Sequence, residues 1–217
     1  MTYEIKHHMT DPLLMAYSAG TLPEAFSVVV ATHISLCDEC RARLESFEAV
    51  GGALLDSDDA VAVSDDALEA TMALIDAAPA FQKPANTSLP DAVFPGPLRD
   101  YVGGDLDAVN WRPIGGGVRQ AVLNTGGSAK VRLLAIPGGV AIPDHGHRGT
   151  ELTLVLQGAF RDEDGRFARG DVEVANEDLH HTPIAEEGME CICLAATDAP
   201  LRFKGLVPRV AQRFIGI

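Results

Sequence analysis

Residues 139–158, GVAIPDHGHRGTELTLVLQG, decide the fold of the second half of the chain. His145 and His147 are separated by one residue, so an extended backbone presents both imidazoles on the same face. The run that follows, TELTLVLQG, reads as the next strand and carries Glu151 inward. Gly139 and Gly158 bracket the segment and permit tight turns at its two ends. Around it residues 99–217 are rich in glycine and short alternating segments, a texture of strands rather than helices.

The spacing G-x5-H-x-H-x3-E-x6-G resembles the first signature of the cupin superfamily at every fixed position. Farther on, Gly170, five residues, Asn176-x-Asp178, two residues and His181 have the register of the second signature, G-x5-P-x-G-x2-H. Asn176 and Asp178 stand where that pattern has Pro and Gly, and Ala185 where it ends in Asn. The register selects His181 rather than His180. The resemblance implies a jelly-roll β-barrel with a metal held by His145, His147, Glu151 and His181. Such a donor set accommodates Zn, Fe, Mn or Ni, and spacing does not choose among them. Cys191 and Cys193, in MECICLAA, share a strand face and are candidate oxidation targets; the alternative reading makes them small buried hydrophobes. A disulfide between residues i and i+2 of one strand is disfavoured by its geometry.

The first half reads differently. Pro23-Glu24 opens a helix on which Phe26, Val29, Val30, His33 and Cys37 share one face. Before it, Asp11 as N-cap and Pro12 predict a helix to about Gly20. After it, Asp38 predicts the start of a third helix through Leu44, Phe47 and Val50, and Ser64 with Asp65 and Asp66 a fourth through Leu68, Met72 and Ile75. Five of the 13 prolines fall between residues 77 and 98. That density predicts a linker. The expectation is therefore an α+β chain of two domains: residues 1–80 a small helical bundle, 81–98 a Pro-rich linker and 99–217 a cupin. About 80 residues of short helices make a marginal core without a staple.

His33, Cys37 and Cys40 supply that staple. The spacing H-x3-C-x2-C brings three soft donors together across a helix-helix turn and suits tetrahedral Zn²⁺. A redox pair and a set of buried core residues are the competing readings, but the βαβ context of a redox C-x2-C is missing. His7 or His8 would complete the site, and spacing does not decide between them. This arrangement resembles the zinc-binding anti-sigma family, and the segments TLPEAFSVVVATH and LCDECRAR resemble its ChrR-like members. HGHRGTELTLVLQGAF and CICLAATDAPLRF extend the likeness over the second half. The resemblance implies that His8, His33, Cys37 and Cys40 hold zinc. It also implies that the helical domain binds an extracytoplasmic-function sigma factor as a 1:1 heterodimer, and that oxidants such as singlet oxygen release it through the cupin.

Composition agrees with a protein partner. The 217 residues carry 17 Lys+Arg against 31 Asp+Glu, a formal net charge of −14. Residues 1–90 hold 4 basic and 14 acidic side chains, so 4 − 14 = −10 of that charge lies in the helical half. Such a surface repels phosphate backbones, which argues against direct nucleic-acid binding and against a zinc-finger DNA binder, while it favours encounter with a basic protein. No apolar stretch approaches the roughly 20 residues of a membrane helix, and the N-terminus does not read as a signal peptide. Four cysteines are too few for a disulfide scaffold, and a cytoplasmic location is expected. The alternative function is a metal-dependent cupin enzyme, a dioxygenase or isomerase, with a helical appendage.

Overall fold

The computed structural model describes residues 4–79 and 92–203. Residues 80–91, most of the stretch read as a linker, and residues 204–217 lie outside the described residues. Helices α1 (Asp11–Ser18), α2 (Glu24–Ile34), α3 (Asp38–Ser57), α4 (Ala67–Ala77) and α5 (Gly96–Val102) come first. The strands follow: β1 (Arg112–Gly115), β2 (Val118–Leu123), β3 (Lys130–Ile136), β4 (His145–Gly146), β5 (Glu151–Gln157) and β6 (Ala159–Arg161). Then come β7 (Arg166–Ala168), β8 (Val172–Ala175), β9 (His180–His181), β10 (Ile184–Ala185), β11 (Cys191–Thr197) and β12 (Arg202–Phe203).

Three helix starts differ from the sequence reading by one to three residues. At α1 the flanking residue is Thr10, and Asp11 is already helical; its carboxylate turns instead to the Arg43 guanidinium of α3, 3.1 Å from Nε. At α3 the capping residue is Cys37, whose Sγ accepts the Cys40 N–H at 3.4 Å, while Asp38 is the first helical residue. The sulfur does here what an Asp or Ser oxygen usually does. Asp66, not Ser64, precedes α4. Helix α5 begins inside the Pro-rich stretch: Pro97 sits in its first turn, where a missing N–H costs nothing, and Leu98 is fully buried.

One large antiparallel sheet, in the order β1-β2-β3-β11-β5-β8, dominates the second half, and two three-stranded sheets, β10-β6-β7 and β12-β4-β9, complete it. Both faces of its central strands β5 and β11 are buried. Along β5 and β11, Leu152, Leu154, Leu156, Ile192, Leu194 and Ala196 point outward into one core with Ala25, Phe26, Val29 and Val30 of α2. Their neighbours Val155, Cys191 and Cys193 point inward to Phe160 and Phe167. This explains two sequence features at once. A strand buried on both faces reads as a continuous apolar run, as CICLAAT does, and a helix buried nearly all round reads as apolar all round, as AFSVVVATH does. Helices α3 and α4 are the opposite case. Val50, Leu54, Leu55, Leu68, Leu74 and Ile75 are each at least 60% exposed.

Candidate metal centres

Three elements bring the first centre together. Helix α2 delivers His33, the cap and first turn of α3 deliver Cys37 and Cys40, and the N-terminal segment delivers His8; all four donor atoms lie within 4.8 Å of one another. His8 Nδ1 is 3.3 Å from Cys37 Sγ and 3.7 Å from Cys40 Sγ. A tetrahedral ion with nitrogen at about 2.0–2.1 Å and sulfur at about 2.3 Å has donor-to-donor edges of about 3.3–3.8 Å, so the set has the size zinc requires. His33 Nδ1 donates to the Gly170 carbonyl at 3.0 Å, which fixes the tautomer that leaves Nε2 free of a proton. That Nε2 is buried with no hydrogen-bond partner. A buried lone pair without a donor is costly unless a cation takes it. Burial drives the His33 pKa down to about 4, so the ring is neutral at pH 7, and burial pushes the Cys40 thiol up to about 11. Arg43 Nη1, 3.9 Å from Cys40 Sγ, and the α3 N-terminus both favour the thiolate. Glu39 lies 3.4 Å from His8 Nε2 and completes the outer support. His7 goes elsewhere: its ring packs on Phe167 at 4.2 Å between centroids.

The second centre forms where β4 meets β9. His145 and His181 are direct partners in that antiparallel ladder, and His147 follows two residues on. His181 Nε2 is 3.2 Å from His145 Nε2 and 3.3 Å from His147 Nε2. All three rings are buried. His145 Nδ1 donates to the Pro143 carbonyl at 2.9 Å, which again puts the lone pair on Nε2. Burial holds the His145 pKa down and, together with the charge of His181, brings that of His147 to about 4. Glu151 stands slightly apart. Its Oε1 accepts from Thr153 at 3.1 Å and its Oε2 is 3.8 Å from His147 Nδ1, so the converged group is the three histidines.

Sequence reasoning missed two residues here. Asp162 Oδ2 lies 2.8 Å and Glu173 Oε1 3.0 Å from His181 Nδ1. Burial raises the Glu173 carboxyl to about 7. Burial opposes charge on His181, but its hydrogen bonds to Glu173 and Asp162 outweigh that and carry its pKa to about 9. A signal was present for Glu173: in DVEVA it takes the inward position between two outward valines. Nothing near Asp162 marked it. The turn of the second signature also works without Pro and Gly, because Asn176 Oδ1 accepts the Asp178 N–H at 2.9 Å and closes an Asx turn.

Beside the three histidines lies a cavity of about 340 Å³. Apolar side chains such as Ile136, Ile142 and Phe160 line most of it, with Glu151, Glu173 and Arg132 at its polar end. Cys193 reaches this cavity, and its Sγ is 3.6 Å from that of Cys191. The hydrogen bond between the two thiols, then burial, raise the Cys193 pKa, so that side chain stays a thiol in neutral solution.

A family model described as the ChrR Cupin-like domain matches residues 100–199. The anti-sigma-E factor ChrR of Cereibacter sphaeroides is 60% identical over 213 residues, 98% of this chain and 99% of that protein. The chain belongs to the ChrR family of anti-sigma factors. A crystal structure of Rhodobacter sphaeroides SigE in complex with the anti-sigma ChrR superposes with a TM-score of 0.80 at 59% identity, over 90% of this chain and all of that one. An RmlC-like cupin from Ralstonia eutropha aligns at 22% identity over 48% of this chain and 71% of its own, with a TM-score of 0.41. The ChrR relationship spans both halves, so helices and cupin belong to one regulatory chain. Both donor clusters fit zinc.

Proposed function

We propose that this chain is a zinc-dependent anti-sigma factor that binds an extracytoplasmic-function sigma factor as a 1:1 heterodimer and keeps it from RNA polymerase. One observation carries the reading. The His8, His33, Cys37, Cys40 cluster sits at the root of α3, and the rest of α3 with α4 presents an apolar surface covered by nothing among the described residues. On α4, Leu68, Met72 and Ile75 share one face, and on α3 Val50 and Leu54 do. Exposed patches of this kind mark partner surfaces, and the ChrR relative is solved with its sigma factor bound. Zinc at the root fixes where α3 points. The −10 charge of residues 1–90 speeds encounter with a basic partner.

The cupin is the sensor. His145, His147 and His181, with Glu151 brought in by a side-chain rotation, hold a second metal, which we assign as zinc; their Nε2 atoms bind it, His181 giving up its extra proton as it does so, and Asp162 and Glu173 orient His181. Singlet oxygen and related oxidants act here. The apolar cavity admits small neutral species, and Cys191 and Cys193 are the thiols within reach. The raised pKa of Cys193 makes it resist slow two-electron oxidants, so the response is selective for reactive ones. This work is done in the cytoplasm and without turnover of a substrate. No described helix is long and apolar enough to cross a membrane.

The test uses the full chain in transcription assays with its sigma factor. Wild-type protein and His145→Ala are expected to inhibit equally, and only wild type to release sigma on exposure to photogenerated singlet oxygen. Release from both at the same rate would place the sensing step away from the cupin metal.

A further inference from the structure

Strand β8 and the turn before it touch both donor clusters. On the outer side, the Gly170 carbonyl accepts from His33 Nδ1 at 3.0 Å, across 137 residues of chain. The Asp171 carboxylate accepts the backbone N–H groups of Lys6 at 2.6 Å and His7 at 3.0 Å through Oδ1, and that of Ala168 at 2.8 Å through Oδ2. The Val172 N–H returns a bond to the His7 carbonyl at 3.2 Å. These contacts anchor the segment that carries His8. A Cβ on Gly170, whose φ is +93°, would meet the Ile5 side chain at 2.7 Å, so the segment crosses directly over the turn. On the inner side, one residue beyond Val172, Glu173 holds His181 Nδ1. Among the described residues β8 is an edge of the sheet, laddered only to β5. Its other side is held by the N-terminal segment.

We propose that residues 170–173 are a mechanical bridge through which metal loading of the cupin sets the metal affinity of the Cys/His cluster. The inference rests on both clusters being metal centres. The His181 ring meets both sets of neighbours at once, with Nδ1 facing Glu173 and Asp162 and Nε2 facing His145 and His147. A metal held by the three Nε2 atoms would fix the position of the His181 ring, and through Nδ1 that ring holds Glu173. Three residues of continuous backbone then hold the Gly170 carbonyl and the Asp171 carboxylate on the outer shell of the first centre. Loss of an outer-shell partner commonly weakens a metal site by about 10–100-fold. Coupling between two binding sites is reciprocal, so each must change the other by the same factor.

The experiment uses full-length protein with Co²⁺ in the Cys/His cluster. Thiolate-to-cobalt charge transfer in the near ultraviolet reports that cluster, since the cupin donors include no sulfur. Competitive chelator titrations of this band are compared for wild type, His181→Ala and the nearly isosteric Glu173→Gln. Both variants are expected to bind about tenfold more weakly at the Cys/His cluster, and Cys37→Ser is expected to weaken the zinc affinity of the cupin by a similar factor. Far-UV circular dichroism identifies any variant that fails to fold, and Glu173→Gln, which keeps the packing, carries the decision if His181→Ala does. Affinity within twofold of wild type in Glu173→Gln overturns the bridge and leaves the zinc reading intact. A wild-type protein with no charge-transfer band overturns both.

Discussion

Replacing Leu68, Met72 and Ile75 by alanine isolates the partner surface from the fold. These side chains are 75%, 49% and 60% exposed in the free protein, so their removal takes nothing from its core. Alanine is also the best helix former, and α4 should persist. Fully burying a large aliphatic side chain is worth about 1.5–3 kcal/mol. With half to three quarters of each side chain still open, the three together contribute about 3–5 kcal/mol to a complex that covers them. At about 1.4 kcal/mol per tenfold, the triple variant should bind sigma factor roughly 10²–10⁴ times more weakly. Isothermal titration calorimetry measures this directly, alongside a thermal melt of the free variant that should match wild type within a degree or two. A Kd within threefold of wild type would refute the assignment of this face, and a fall in melting temperature would show that α4 packs on its own chain.

Other perturbations probe different parts of the account. Leu154→Ala removes a fully buried side chain from the core shared by β5 and α2. It should cost about 2–5 kcal/mol, and calorimetry should show helices and sheet melting in one transition at a lower temperature rather than two. Glu186 bridges Arg161 of β6 and Arg166 of β7, at 2.7 and 2.8 Å, and those guanidiniums lower its pKa to about 2. A depressed carboxylate stabilises the fold above its unfolded value of 4.5 and loses that effect as pH falls toward 2. Because the pair is partly exposed, Glu186→Gln should cost only about 1 kcal/mol at pH 7, and denaturant melts should show the difference shrinking below about pH 4.5.

Much of the fold was legible because its signals were local. The alternation around His145 and His147, the turn glycines and the helix starts depend on neighbours a few residues away. Gly158 is an example: its φ of +69° and the Glu190 carbonyl 3.0 Å from where a Cβ would sit make glycine necessary there. The long-range features were not legible. Nothing in the sequence pairs His33 with Gly170 or Asp171 with the N-terminal segment, or places the His7 ring on Phe167 while His8 faces the cysteine sulfurs. The caps at α1 and α3 moved because Asp11 had an ion pair to make and Cys37 had a helix to cap. Reading the halves as separate domains gave no hint that α2 buries its face against β5 and β11.

The central claim is that zinc held by His8, His33, Cys37 and Cys40 arms the helices to capture sigma factor. Calorimetric titration of sigma factor into zinc-loaded wild type, Cys37→Ser and His7→Ala tests it most directly. The account predicts tight 1:1 binding by wild type and His7→Ala, and binding at least 100-fold weaker by Cys37→Ser, as expected for a structural zinc site whose loss unfolds its surroundings. Wild-type affinity in Cys37→Ser would contradict it.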